Sequence, residues 1–177
     1  MNKNERRYIQ IYTGNGKGKT TAALGQAIRA AGHGLKTHIV MFMKDHPYGE
    51  LAVLERLKDS ITVARFGNDA FVFRKEPPSE EDLAAAKAGL THAREAILSG
   101  EYDMVVLDEI CVTTYFKLLT PEEVVPLLTE KPDGVELILT GRYCPEAWLE
   151  RADLVSEMKE VKHYYQKGII AREGFES

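Results

Sequence analysis

Cysteine is scarce in this chain. Cys111 and Cys144 are its two thiols in 177 residues, without the C-x-x-C spacing of a zinc or redox site and too few for a disulfide framework. A reducing cytoplasm is therefore the expected location. Long apolar runs are missing too: none approaches the roughly 20 residues that span a bilayer. The stretch Met1 to Arg7 is polar, unlike a secretory signal. The expectation is a chain that is neither exported nor membrane-spanning. No excess of positive charge is present, since 23 basic and 27 acidic side chains leave a net charge of -4. Long-range attraction to nucleic acid or anionic lipid is thereby excluded, and neither is expected as a partner. The five histidines, His33, His38, His46, His92 and His163, are scattered, and no nucleophile-base pair is visible.

What the chain does have is 44% hydrophobic residues, enough for one well-buried core, and no repeat or low-complexity tract divides it. At this length folding hides roughly 70% of the unfolded surface, so residues 1–177 are read as a single domain. Short apolar runs alternate with amphipathic stretches, the pattern of parallel strands joined by helices on both sheet faces. Tyr8 to Tyr12 reads as the first strand and leads into a glycine-rich loop. Leu24, Ala27, Ile28 and Ala31 then recur at helical spacing, with Gly32 and Gly34 as a stop. Thr37 to Phe42 and Ile61 to Phe66 read as strands flanking a short helix from Leu51 to Leu57.

After Pro77-Pro78, Ser79 with Asp82 predicts a capped helix whose apolar stripe is Leu83, Ala86, Leu90, Ala93 and Ile97. Asp103 to Leu107 is the run expected of a strand buried on both faces, and Asp108-Glu109 ends it. Thr120-Pro121-Glu122-Glu123 starts another helix, through about Leu128. Val135 to Leu139 reads as a strand, Pro145 opens a helix, and Asp153 to Met158 adds a further strand. The tail from Val161 to Ser177 is read as one or two edge strands. The predicted fold is α/β, a P-loop, RecA-like three-layer arrangement with a largely parallel sheet and ligands at the strands' carboxyl ends.

The run Thr13-Gly14-Asn15-Gly16-Lys17-Gly18-Lys19-Thr20-Thr21 stands between a strand and a helix, where backbone N–H groups and the helix dipole together hold phosphates. The general pattern G-x-x-x-x-G-K-[ST] would place glycine at position 13, where this chain has Thr13. Glycines permit close backbone approach, Lys19 neutralises phosphate charge, the Thr20 hydroxyl suits magnesium, and Lys17 is a second cation. Asp108, at the end of a buried strand, is the expected partner for that magnesium, with Glu109 beside it. Arg142, in Thr140-Gly141-Arg142, should emerge on the same sheet edge, where it suits either a contact with phosphate charge or a surface position. Phe71 and Phe73 share one side of any extended segment. They suit either the core or, given Gly67, Asn68, Pro77 and Pro78, an aromatic loop over an apolar ligand.

Together these motifs resemble the corrinoid adenosyltransferases of the cobalamin-biosynthesis type, through Thr13 to Ala23, Val105 to Glu109 and Thr140 to Arg142. The pieces Arg29 to Gly34, Ala152 to Glu157 and Val161 to His163 match as well. The threonine at position 13 is itself typical of that family. The resemblance implies transfer of the 5'-deoxyadenosyl group of ATP to the Co(I) of a reduced corrinoid, cobalamin or a precursor, with release of triphosphate. It implies magnesium as cofactor, usually a homodimer, and room for an electron-donor protein. Lys19, Thr20 and Asp108 would serve the triphosphate and metal, Phe71 and Phe73 the corrinoid. In the family the second ring is often tryptophan, and some members have a long N-terminal arm. Here it is Phe73, and about seven residues precede the first strand. The alternative is a P-loop kinase or NTPase acting on the gamma-phosphate. A RecA-like binding module lacks support in any basic stripe, and the lack of an N-K-x-D run disfavours GTP.

Overall fold

Met104-Val105-Val106-Leu107-Asp108 is buried along its whole length, and so is Thr37 to Phe42. Strands covered on both faces of this kind need helices above and below the sheet. The computed structural model, which describes residues 6–46, 48–68, 70 and 77–175, supplies them. Its strands are β1 (Ile9–Thr13), β2 (Thr37–Phe42), β3 (Ile61–Phe66), β4 (Met104–Asp108), β5 (Glu136–Thr140) and β6 (Leu154–Glu157). They form a parallel sheet in the order β3-β2-β4-β5-β1-β6.

The helices are α1 (Lys19–Ala31), α2 (Gly49–Leu54), α3 (Glu80–Leu98), α4 (Ile110–Tyr115), α5 (Pro121–Glu130) and α6 (Glu146–Leu149). Strand alternation divides the interior into two layers. Val40, Phe42, Val105, Leu107, Leu137 and Leu139 meet Ala86, Ala93 and Ile97 of α3 and Leu127 of α5. Ile39, Met41, Val106 and Ile138 meet Ala23, Ala27 and Ala30 of α1 on the other face. The small residues of α1 let its backbone lie close to the sheet, which keeps the glycine-rich loop against the strand ends.

Local signals set most element ends. Ser79 and Asp82 form a reciprocal capping box at α3, and Thr120 and Glu123 form another at α5, with Pro121 in its first turn. Both match the sequence expectation. One expectation holds with a shifted start, and another does not hold. The helix read from Leu51 to Leu57 begins at Gly49 and tightens to a 3-10 turn over Glu55–Leu57. The tail, expected to be one or two strands, forms a 3-10 turn at Tyr164–Lys167 and no strand among its described residues. His163 Nδ1 accepts the Tyr165 amide at 3.1 Å, and Gly168 turns through φ 79°; these local devices bend the segment away from an extended path. Phe71 and Phe73 lie outside the described residues.

Sheet register positions the functional edge. Met41 pairs with Asp108, Leu107 with Leu139, and Tyr12 with Thr140. The carboxyl ends of β2, β4, β5 and β1 therefore finish side by side, with the loop from Gly14 to Gly18 above them.

Candidate active site

The loop between β1 and α1 is held from outside as well as by its own sequence. Gly16 donates its amide to the Met158 carbonyl at 2.6 Å, and Met158 donates to Thr13 at 2.7 Å. A Cβ at Gly14 or Gly16 would stand 2.6 Å from the Met158 oxygen, so both positions exclude a side chain because the segment after β6 crosses there. Gly18, with φ 120°, faces open space and supplies the turn into α1. Lys19, 7% exposed, donates from Nζ to the carbonyls of Gly14 and Gly16, both at 2.7 Å. Burial lowers its pKa, opposed by the nearby Glu109 charge and assisted by Arg142.

Thr20, Asp108 and Thr140 meet across three elements. Asp108 Oδ1 accepts the Thr20 hydroxyl at 2.9 Å and the Thr140 hydroxyl at 2.7 Å. Its Oδ2 receives the Lys44 ammonium at 2.6 Å, and that ammonium also reaches Thr20 Oγ1 at 3.5 Å. Asp108 is 2% exposed, so its charge depends on these donors. Burial alone would lower the Lys44 pKa, but the charge and hydrogen bond of Asp108 more than offset it and raise the value. Glu109 sits at φ 62° and gives its amide to Thr140 Oγ1 at 3.0 Å; burial and then the Asp108 charge raise its pKa.

A cavity of about 770 Å³ opens over these groups, lined among others by Lys19, Thr20, Thr21, Lys44, Glu109 and Arg142. The structure thus brings together the expected Lys19, Thr20, Thr21, Glu109 and Arg142, with Asp108 directly beneath Thr20. Asn15 borders an adjoining cavity that shares Arg142 and His163 with the first. Lys17 lines the main cavity, and its ammonium reaches the Phe175 carbonyl at 2.5 Å. Two residues that contact Asp108 escaped sequence reasoning. Lys44 follows the wholly buried β2, and a lysine at the end of such a strand was the available signal. Thr140 was read only as the lead-in to Arg142.

The arrangement suits a polyphosphate. The N-terminus of α1 and the buried Lys19 line the cavity, where helix amides and an ammonium favour an anion. A hydroxyl and a carboxylate 2.9 Å apart, completed by phosphate oxygens and water, are the hard oxygen donors magnesium takes. A protein cation, Lys44, already stands against the other carboxylate oxygen, Asp108 Oδ2, and near Thr20 Oγ1, so this point attracts positive charge. Thr20 and Asp108 therefore fit the metal.

Comparison with known proteins agrees with this geometry. The sequence profile of the ATP:corrinoid adenosyltransferase BtuR/CobO/CobP family matches residues 5–177. A corrinoid adenosyltransferase of Escherichia coli (strain K12) is 41% identical over 173 residues, 97% of this chain and 86% of that protein. Corrinoid adenosyltransferase CobA of Salmonella typhimurium is 40% identical over 174 residues, again 97% and 86%. A corrinoid adenosyltransferase of Pseudomonas aeruginosa is 31% identical over 175 residues, covering 98% of this chain and 85% of its own.

Proposed function

Since this chain belongs to the ATP:corrinoid adenosyltransferase family, we propose that Lys19, Thr20 and Asp108 hold the triphosphate of ATP while its 5'-deoxyadenosyl group passes to a corrinoid. The reaction is adenosylation of the corrinoid at the expense of ATP, and the chain is a transferase of cobalamin biosynthesis. The observation that carries the assignment of residues is the meeting of Lys19, Thr20 and Asp108 beneath one cavity.

Co(I) of the reduced corrinoid is the nucleophile. It attacks C5' of ATP, the cobalt–carbon bond forms as C5'–O breaks, and triphosphate leaves with the electron pair. A nucleophile of this strength needs no deprotonation, so the reaction requires no general base. The protein's task is positioning and neutralising the leaving group. Lys19, on leaving the Gly14 and Gly16 carbonyls, meets the triphosphate, and the amides of Lys17 and Gly18 supply further donors beside Asn15 and Thr21, on a loop whose close approach Gly14 and Gly16 permit. Arg142 contributes from the rim of the cavity. Magnesium, held by Thr20 and Asp108 with Glu109 nearby, would add charge neutralisation at the phosphate oxygens.

The family resemblance supports assigning Phe71 and Phe73 to the corrinoid, cobalamin or a precursor. It also supports a homodimer and an electron-donor protein that prepares Co(I). Residues 1–177 are read as one domain, which the continuous sheet supports. No helix among the described residues is long and apolar enough to cross a membrane, and a cytoplasmic location is part of the proposal. The assay is incubation with ATP, magnesium and chemically reduced cobalamin. Adenosylated product with intact triphosphate is expected, whereas ADP and phosphate formed without corrinoid would place the chain among kinases or NTPases.

A further inference from the structure

The cation against Asp108 belongs to the protein itself, and its placement is built into the backbone. β2 lies next to β4 with Met41 opposite Asp108. Beyond β2 the chain turns at Met43, a non-glycine residue at φ 57°, whose amide is fixed to the Phe66 carbonyl at 2.9 Å. A bulky side chain in the left-handed region is held there only by its surroundings. The turn returns Lys44 to the sheet edge, with its ammonium 2.6 Å from Asp108 Oδ2 and 3.5 Å from Thr20 Oγ1.

Thr20 and the Asp108 carboxylate are the two groups assigned to magnesium in the proposed reading. A divalent ion on Thr20 and Asp108 and an ammonium at its present distance would stand within a few ångströms of each other, a costly repulsion where the carboxylate is 2% exposed. One cation must give way, and the protein offers Lys44 somewhere to go. Its four-carbon stem is flexible, the residue lines the same cavity as Lys19 and Arg142, and the Tyr48 ring lies 5.1 Å from its ammonium on the cavity wall.

We propose that Lys44 is an exchanging counter-cation: it neutralises Asp108 and aligns Thr20 before nucleotide arrives, then passes onto the triphosphate as the divalent ion takes its place. This rests on the triphosphate reading of the site. Before substrate enters, the carboxylate is paired and oriented without a metal. When substrate is bound, the same ammonium joins Lys19 in balancing the leaving triphosphate. A permanent structural ion pair would do the first and not the second.

The experiment uses the full chain and two probes, inorganic tripolyphosphate with saturating magnesium and Mn2+ in the absence of nucleotide. Calorimetry measures the first and the paramagnetic resonance of free Mn2+ the second. Lys44→Met should weaken tripolyphosphate binding by about tenfold or more, the loss of one charge-assisted contact. It should also tighten Mn2+ binding, because Asp108 has lost its internal cation, while Lys44→Arg stays near wild type in the Mn2+ assay. Unchanged tripolyphosphate affinity, or unchanged Mn2+ binding, in Lys44→Met would overturn the exchange. If Lys44→Met does not fold, Asp108→Asn is compared with Asp108→Asn/Lys44→Met. The double variant should bind tripolyphosphate about tenfold more weakly, and equal affinities would overturn the proposal. Lys19→Ala serves as control. Weakened binding there without an effect at Lys44 sinks this inference alone, whereas no tripolyphosphate binding by the wild type sinks the reading of the site itself.

Discussion

Thr140 donates its hydroxyl to Asp108 Oδ1 at 2.7 Å while accepting the Glu109 amide at 3.0 Å. One side chain from β5 thus fixes both acids at the end of β4, and Asp108 receives Thr20 on the same oxygen. Thr140→Val keeps the shape and removes the hydroxyl, leaving a buried carboxylate short of a donor. The expected loss is about 1.5–3 kcal/mol, the worth of a hydrogen bond to a charged group. It should appear both in unfolding stability and as a higher magnesium requirement for transfer. Thr140→Ser should recover most of the loss. A Val variant with wild-type magnesium dependence would deny Thr140 any part in positioning Asp108.

Lys19 presents its ammonium to the carbonyls of Gly14 and Gly16, and in the proposed reading it exchanges them for phosphate. Lys19→Ala is expected to raise the transfer barrier by ~2.7–4 kcal/mol, a hundredfold to roughly thousandfold slower reaction. The measurement is a single turnover with pre-formed Co(I) at limiting ATP and magnesium. A near-normal rate would remove Lys19 from the leaving-group site.

A second polar cluster lies away from the phosphate loop. His38 Nε2 is 2.8 Å from His92 Nε2, His38 Nδ1 is 2.7 Å from Thr62 Oγ1, and Tyr102 stacks on the His38 ring. Burial, and then the charge of His92, lower the His38 pKa from 6.5 to about 4. The folded chain therefore binds this proton less readily than the unfolded one, and stability must fall with pH. The contribution is complete above 6.5, declines as pH drops below that, and is fully lost below about 4. A loss of roughly 2 kcal/mol is expected after allowance for solvent screening. Denaturation midpoints across this range, for wild type and His38→Gln, test it. A difference between the two that does not vary with pH would mean that His38 is not the titrating group.

Cys111 and Cys144 are distant in sequence but packed in one cluster in the fold. The hydrogen bond to Cys144, and then burial, raise the Cys111 pKa well above the usual thiol range. Reactivity follows the thiolate, so iodoacetamide at about pH 8 should label the partly exposed Cys144 and leave Cys111 untouched until the chain unfolds. Peptide mass mapping reads the outcome. Rapid labelling of Cys111 in the native protein would contradict the buried thiol.

Helix caps and buried strands were legible from residues alone because their signals are local. Ser79 with Asp82, Thr120 with Glu123, and the apolar run of β4 each act within a few neighbouring residues. The phosphate loop and Asp108 were legible for a similar reason, as a turn between strand and helix and an acid at a strand's end. The tail shows where such reading fails. Val161, Ile169 and Ile170 look like strand residues, but they are exposed, and His163 and Gly168 bend the backbone instead.

The partners of Asp108 were decided only by tertiary structure. Alternation along a strand tells which face a side chain takes, not which strand lies beside it. The order β3-β2-β4-β5-β1-β6 puts β2 and β5 on either side of β4, so Lys44 and Thr140 converge on one carboxylate from opposite directions. His38 with His92, and Cys111 with Cys144, are joined in the same way, by packing between elements far apart in the chain. The sequence by itself determined the chemistry at the end of each strand and the motifs that mark the family. Which of those ends touch depends on how strands pair and helices pack, and that is a property of the folded sheet.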